Sequence, residues 1–285
     1  MTTTHIGDVL ADAMDSNTTA TGYAELDQIL MGGIRPGQLV IIGGRTGVGK
    51  TTFATDLIRT AAIQKDRPTL IFTPAESAEM FTMRLMCAEA DVMLNRALTG
   101  RMPDQDWMAL TKAITRVENA PIILDSKCHT IDALMEQAWA ESADTDLGLI
   151  VVDDLNLIST SARYDSRQQE IAEVSRELKI LARSLNVPVV ATSQLRRGIE
   201  ERGDDVLPHL WDLRGSGTLE QDADIVIFVN RPDLTNRDHP RAGEADLIVA
   251  KNRLGAVGTV QLAHMLHRGK FAELPWREGD EGASQ

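Results

Sequence analysis

Val40-Ile-Ile-Gly-Gly-Arg-Thr-Gly-Val-Gly-Lys-Thr-Thr-Phe-Ala54 decides the fold. An apolar strand over Leu39 to Ile42 runs into a glycine-rich turn, and a helix begins near Lys50. Gly44-x-x-x-x-Gly49-Lys50-Thr51 meets the phosphate-binding P-loop pattern at every specified position. Glycines let backbone N–H groups turn inward around anionic oxygens, and the helix N-terminus adds the positive end of its dipole. Gly44, Arg45, Thr46, Gly47, Val48, Gly49, Lys50, Thr51 and Thr52 are therefore the expected nucleotide-binding residues. Lys50 is expected at the β- and γ-phosphates, and the Thr51 hydroxyl at Mg²⁺. The stretch predicts binding of a nucleoside triphosphate.

A chain of 285 residues with 43% hydrophobic content suffices to bury a sizeable core. Two cysteines, Cys87 and Cys128, cannot build a disulfide framework, which points to a reducing cytoplasm. No apolar run reaches bilayer-spanning length, and the first residues lack the pattern of a signal peptide, so no membrane association is expected. A net charge of −13 excludes a broad basic nucleic-acid surface but leaves room for a local one. Arg196, Arg197, Arg202 and Arg214 collect on segments that read as loops.

Ile6, Val9, Leu10, Ala13 and Met14 form one helical stripe, which needs a surface in its own domain or on a neighbouring subunit. From Thr21 onward a short helix and a Gly/Pro turn feed the first strand. Thr69 to Thr73, Pro121 to Leu124, Leu147 to Asp153 and Pro188 to Thr192 read as further strands. Helices are expected over Met80 to Ala90, Trp107 to Val117, Ile131 to Ala140 and Gln168 to Leu185. A polar, Arg-rich loop follows through Gly217. Asp224 to Asn230, Glu244 to Lys251 and Val257 to Ala263 then read as strands without intervening helices. This alternation predicts an α/β domain with a mostly parallel, right-handed wound sheet and antiparallel hairpins at one edge. The expected organisation is an arm over 1–20, a main domain over 21–272 and an acidic, disordered tail over 273–285.

Asp153 ends an apolar strand at the sheet edge where α/β ligands bind, so it either caps the strand or holds Mg²⁺. Asp154 reads as solvated or as a supporting partner. Gln194, in Thr192-Ser-Gln, either ends a strand or bonds the γ-phosphate and reports its loss.

Beyond these sites, Arg167-Gln-Gln-Glu-Ile-Ala-Glu-Val-Ser-Arg-Glu-Leu-Lys179, Leu185-Asn-Val-Pro-Val-Val190 and Ser193-Gln-Leu195 stand in order with two later motifs. These are Asp212-Leu-Arg-Gly-Ser-Gly-Thr-Leu-Glu-Gln-Asp-Ala-Asp224 and Lys251-Asn-Arg253. With Thr99-Gly-Arg101, Asp106-Trp107 and the P-loop, they resemble the motor domain of DnaB-type replicative DNA helicases over about Thr21 to Ala263. The resemblance implies a RecA-like P-loop NTPase core, assembled as a homo-oligomeric, hexameric ring. It implies hydrolysis of ATP with Mg²⁺ between subunits, translocation on single-stranded DNA, and primase or a helicase loader as partners. Carried over by position, Lys50 and Thr51 hold phosphate and Mg²⁺, Asp153 is the second metal residue, and Gln194 is the sensor. Lys251 and Arg253 match a basic pair supplied to the neighbour's γ-phosphate; without the resemblance they read as a solvated strand end. Arg214 and Gly217 match the DNA-contacting loop, to which Arg197 and Arg202 add charge.

Three departures stand out. The resemblance leads us to expect no copy of the family's helical N-terminal domain, with only the arm over Ile6 to Met14 remaining. The family's catalytic glutamate falls, counting without gaps from Lys50, on Ala75, next to Glu76. Its DNA loop commonly carries Glu where Gly215 stands, and Asp204 and Asp205 stand near where basic residues are usual. Glu76 is the expected general base, leaving what chain order makes the strand beside the P-loop strand. Its alternative role is to open the next helix. A DNA helicase or translocase is thus one reading and a nucleotide-switched scaffold with weak hydrolysis another. A third reading, a P-loop small-molecule kinase, would need a lid of clustered arginines and an acceptor pocket, and the sequence shows neither.

Overall fold

Every residue of strand β1, Leu39–Gly44, is buried, and its side chains alternate between two cores. Val40 and Ile42 pack with Phe53, Leu57 and Ile58, whereas Leu39 and Ile41 pack with Leu178, Leu181 and Val226. Burial on both faces is the signature of a central parallel strand covered by helices on each side. The computed structural model describes residues 17–196, 198, 206–213 and 216–274.

Among these residues one sheet carries β1 with β2 (Thr69–Phe72), β3 (Ile122–Asp125), β4 (Leu149–Val152), β5 (Val189–Gln194) and β6 (Ile225–Asn230). It is completed by β7 (Glu244–Asn252), β8 (Gly258–Met265) and β9 (Lys270–Glu273). Its order is β3-β2-β4-β5-β1-β6-β7-β8-β9. Pairings from β3 through β6 are parallel, and those from β6 to β9 are antiparallel. The expected α/β class, parallel sheet and antiparallel edge are all borne out.

Helices α1 (Ala24–Ile29), α2 (Lys50–Ile58), α3 (Ala78–Ala90), α4 (Leu94–Thr99) and α5 (Asp104–Asn119) precede the centre of the chain. α6 (Ile131–Asp144), α7 (Arg167–Leu185) and α8 (Ser216–Asp222) follow. Ser77 starts α3, its hydroxyl accepting the Met80 amide at 3.3 Å, and Ser166 starts α7 in the same way through Gln169. α7 ends where Asn186 turns left-handed at φ 53°.

The structure corrects three expectations. β2 does not lie beside β1: β4 and β5 stand between them, because parallel crossovers need not place consecutive strands side by side. The polar segment does not stay a loop through Gly217, since α8 begins at Ser216. β9 crosses the boundary expected at 272–273, and the Glu273 carboxylate accepts the Ala24 amide at 2.7 Å. At the other end Thr19 pairs with Ile34, so the expected arm is already tied to the domain by its last residues. The stripe from Ile6 to Met14 and the segment from Pro275 onward lie outside the described residues.

Candidate functional site

The turn between β1 and α2 is held open by glycine. A Cβ on Gly44 would stand 2.7 Å from Val48 Cγ2 and 2.9 Å from the Val229 carbonyl, so the strand could not turn as it does. Gly49 has φ +108°, and a Cβ there would meet the Phe271 ring at 2.7 Å. Lys50, the first residue of α2, folds its ammonium back over the turn. Its Nζ donates to the carbonyls of Gly44 at 3.1 Å and Arg45 at 3.0 Å. Burial pulls the Lys50 pKa down, while Asp154 and Asp153 nearby oppose that pull. Arg45 and Thr52 are buried and Thr51 partly so.

Asp153 follows β4 directly and is almost fully buried. Its Oδ1 takes the Thr192 hydroxyl from β5, and its Oδ2 is buried without a partner among the described residues. An orphaned carboxylate oxygen in this position is costly unless a cation or its water shell completes it. Thr51 and Asp153 therefore suit a hard, oxygen-seeking ion such as Mg²⁺. Asp154 is buried rather than solvated. Burial raises its pKa, against the hydrogen bonds it accepts from Asn156, from the backbone amide at 2.9 Å and from Nδ2 at 2.6 Å. Asn156 also reaches the Ser193 hydroxyl at 3.3 Å, tying β4 to β5 below Gln194.

Gln194 closes β5 as the direct register partner of Gly44, and the next amide, Leu195, donates to the Gly44 carbonyl at 3.3 Å. The sensor expected from the sequence is thus beside the first P-loop glycine. It also lines a cavity of about 460 Å³ together with Arg167, Gln168, Ile171 and Arg196. Immediately beyond it, Leu195 pairs with Leu213, and the Arg196 amide donates to the Asp212 carbonyl at 2.8 Å. The two flanks of the arginine-bearing segment therefore meet at the nucleotide edge. Arg197, Arg202 and Arg214 themselves lie outside the described residues. Gly217 sits exposed in the first turn of α8, and a Cβ there would meet no described atom within 4 Å.

Glu76 is in the turn between β2 and α3, with Ala75 exposed beside it. Glu76 Oε2 pairs with Arg84 at 2.8 Å, and Oε1 is buried with no partner among the described residues. β2 ends at the same sheet edge as β1, β4 and β5, so Glu76 shares that edge although two strands intervene.

Lys251 and Arg253 belong to the other edge. Lys251 is paired with Val226 and, through it, stands level with Ile41 near the start of β1. Its ammonium donates to the Glu220 and Ala223 carbonyls at 2.5 and 2.6 Å, satisfying the open carbonyl end of α8. Burial pulls the Lys251 pKa down, and Arg253 adds to that pull. Arg253 is half-exposed and contacts the Gln221 carbonyl at 3.1 Å and Asp224 Oδ1 at 3.2 Å. Asp224 also accepts from the Leu39 amide and pairs with Lys179.

Some neighbours of the site carry no motif. Thr192 and Asn156 are legible only once β4 and β5 are known to be adjacent, and Arg84 only once α3 folds back over Glu76. Arg231 had a signal: it directly follows Asn230, the last residue of a strand ending at the ligand edge. Among the described residues no helix is long and apolar enough to cross a membrane.

Compared with known proteins, the chain is 42% identical over 255 residues to the replicative DNA helicase DnaB of Leifsonia xyli subsp. xyli, covering 89% of this chain and 55% of that protein. It is 40% identical over 267 residues to the replicative DNA helicase DnaC of Bacillus subtilis, covering 92% and 58%. The chain thus spans little more than half the length of these relatives. Among solved structures, one of an isolated ATPase domain superposes with a TM-score of 0.88 at 29% identity, covering 96% of this chain and all of that one. A DnaB-like replicative helicase, described with its interactions with primase, gives 0.87 at 28% identity and 96% and 68% coverage. Residues 18–273 match the model of the DnaB-like helicase C terminal domain, and the chain belongs to that family.

Proposed function

We propose that this chain is the ATP-hydrolysing motor of a ring-shaped DNA helicase that translocates on single-stranded DNA in replication. The observation that carries the reading is the path Gly44–Gln194–Leu195–Arg196. One end is a P-loop glycine, and the other is the root of the arginine-bearing segment. Gain or loss of a γ-phosphate at Gln194 is therefore felt within two residues of the segment expected to hold DNA. In this reading the P-loop amides and Lys50 bind the phosphates, and Thr51 and Asp153 hold Mg²⁺. That ion, when bound, offsets charge on the β- and γ-phosphates. Glu76 orients the attacking water. Lys251 and Arg253 serve the site of the next subunit, and Arg197, Arg202, Arg214 and Gly217 contact DNA.

The homo-oligomeric ring is supported by exposed apolar residues: Leu254, next to Arg253, is 55% exposed, and Trp211 and Val257, which line one surface cavity, are each 61% exposed. Primase and a helicase loader are the partner classes to test, and the cytoplasm is the compartment that suits free, buried Cys87 and Cys128. A second reading, a nucleotide-switched DNA scaffold, is favoured by Ala75 standing exposed at the family's glutamate position.

ATPase turnover with and without single-stranded DNA, beside mass in solution, separates the two. The motor reading expects DNA-stimulated turnover by an assembled ring, lost almost entirely in Lys50→Ala. Tight nucleotide binding with negligible turnover under all conditions selects the scaffold, and unchanged turnover in Lys50→Ala removes the P-loop assignment.

A further inference from the structure

The loop from β6 to β7 touches the P-loop through Arg231, whose Nη1 donates to the Gly47 carbonyl at 3.3 Å. The other side of this guanidinium is fixed, Nε and Nη2 reaching Asp233 Oδ1 at 3.0 and 2.9 Å. Asp233 Oδ2 in turn takes the Gly243 amide at 3.1 Å and lies 2.7 Å from His264 Nε2 on β8. The three side chains are only 12–15% exposed. Burial alone would raise the Asp233 pKa, but the bonds from His264, Gly243 and Arg231 outweigh it and bring it to about 2. The carboxylate is therefore ionised and can only accept, so His264 Nε2 carries the proton between them. Arg241 anchors the same loop to β7 through Glu244 at 2.8 Å and Asp246.

What this string of bonds fixes is one peptide. The Gly47–Val48 bond is trans, so its C=O and N–H point in opposite directions. Fastening the Gly47 carbonyl outward on Arg231 turns the Val48 N–H the other way, into the concave side of the loop. A carbonyl facing inward there would repel phosphate.

We propose that Asp233, seated by His264, is a positioning residue of the nucleotide site: it holds Arg231 on the Gly47 carbonyl and thereby aims the Val48 amide at the bound phosphates. This rests on the nucleotide-binding reading of the P-loop and extends it to residues outside any motif. An amide aimed in advance acts equally on bound ATP and on its transition state, so its loss raises KM and spares kcat.

The test measures the dissociation constant of a fluorescent ATP analogue, with KM and kcat for ATP and melting temperature alongside. Asp233→Asn and Arg231→Lys, which loses the planar fork, are expected to weaken binding and raise KM about tenfold with kcat kept within about twofold. His264→Gln, which retains a donor, is expected to bind like the parent, whereas His264→Leu is expected to weaken. Unchanged affinity in both Asp233→Asn and Arg231→Lys overturns the proposal, as does a fall in melting temperature with KM intact. Lys50→Ala is the control. Retained analogue binding there would overturn the P-loop reading itself, whereas loss there with no effect at Asp233 overturns this proposal alone.

Discussion

Lys50 and Arg253 occupy opposite edges of the same sheet. Lys50 follows the C-terminal end of β1, while the Arg253 amide donates to the Asp224 carbonyl and the Asp224 amide to the Leu39 carbonyl at the start of that strand. The five residue steps of β1 put about 17 Å between the two levels. An arginine side chain does not cover that distance through a packed sheet, so Arg253 cannot serve the P-loop of its own chain. It is half-exposed and held by one carboxylate and one carbonyl, contacts that a stronger anion can displace.

Arg253→Ala is therefore expected to bind ATP normally and to hydrolyse almost none, the loss of a trans arginine being on the order of a thousandfold in turnover. Mixing it with Asp153→Ala should recover part of the activity. Some interfaces then pair an intact Asp153 with an intact Arg253 from its neighbour. Turnover per subunit that stays constant on dilution to monomer rules the trans role out.

Arg214→Ala probes the other partner. Arg214 follows Leu213, which is bridged to Leu195 one residue beyond Gln194. Removing one phosphate contact should weaken single-strand binding and flatten its salt dependence by about one unit of slope. A salt slope equal to that of the parent assigns the DNA contact to another segment.

The pH dependence of stability has a specific source in Asp56 on α2. Its Oδ2 accepts the Tyr23 hydroxyl at 2.7 Å and the Phe271 amide at 2.9 Å, and its Oδ1 pairs with Arg59 at 2.9 Å. Burial nevertheless dominates and raises its pKa to about 6. A carboxyl with a raised native pKa keeps a proton that the unfolded chain has released. Between about pH 4 and pH 6 the native state thus loses stability as pH rises, by at most about 3 kcal/mol. Urea unfolding across this range should show the difference between the parent and Asp56→Asn falling up to about pH 6 and level above 7. A difference constant with pH excludes Asp56 as the source.

The sheet class, the P-loop and the residues ending β4 and β5 were legible because each is written locally, as an apolar run closed by a polar residue or as a glycine spacing. Sheet order was not legible. Chain order alone implies β2 beside β1, whereas the long α/β crossovers insert β4 and β5 between them. β9 escaped notice because Lys270–Glu273 is short and half-charged, and becomes a strand only by pairing with β8. The Arg231–Asp233–His264 string joins residues up to 33 positions apart through a hairpin register that sequence alone does not give. The roles of Lys251 and Arg253 came only from resemblance, since within one chain they look like caps on α8.

Glu76 is where the geometry and the family pattern pull apart. Hydrolysis needs a group that orients water in line with the γ-phosphoryl, and Ala75 cannot do so. Glu76 stands at the same sheet edge as the P-loop, with one oxygen held by Arg84 at 2.8 Å and the other buried and unpartnered among the described residues. That division suits a general base. The paired oxygen fixes the orientation of the carboxylate, and the other keeps lone pairs that no described donor takes up. If Glu76 only favoured the start of α3, as an acid near the helix N-terminus does, neither its burial nor its bond to Arg84 would be needed. Glu76→Gln keeps the shape and removes the base, so it is expected to leave ATP binding and ring formation intact while lowering turnover about a hundredfold. Arg84→Ala should lower turnover by a smaller factor, because the carboxylate remains but is no longer aimed. Turnover of Glu76→Gln within a few-fold of the parent takes Glu76 out of the mechanism and leaves the scaffold reading as the stronger one.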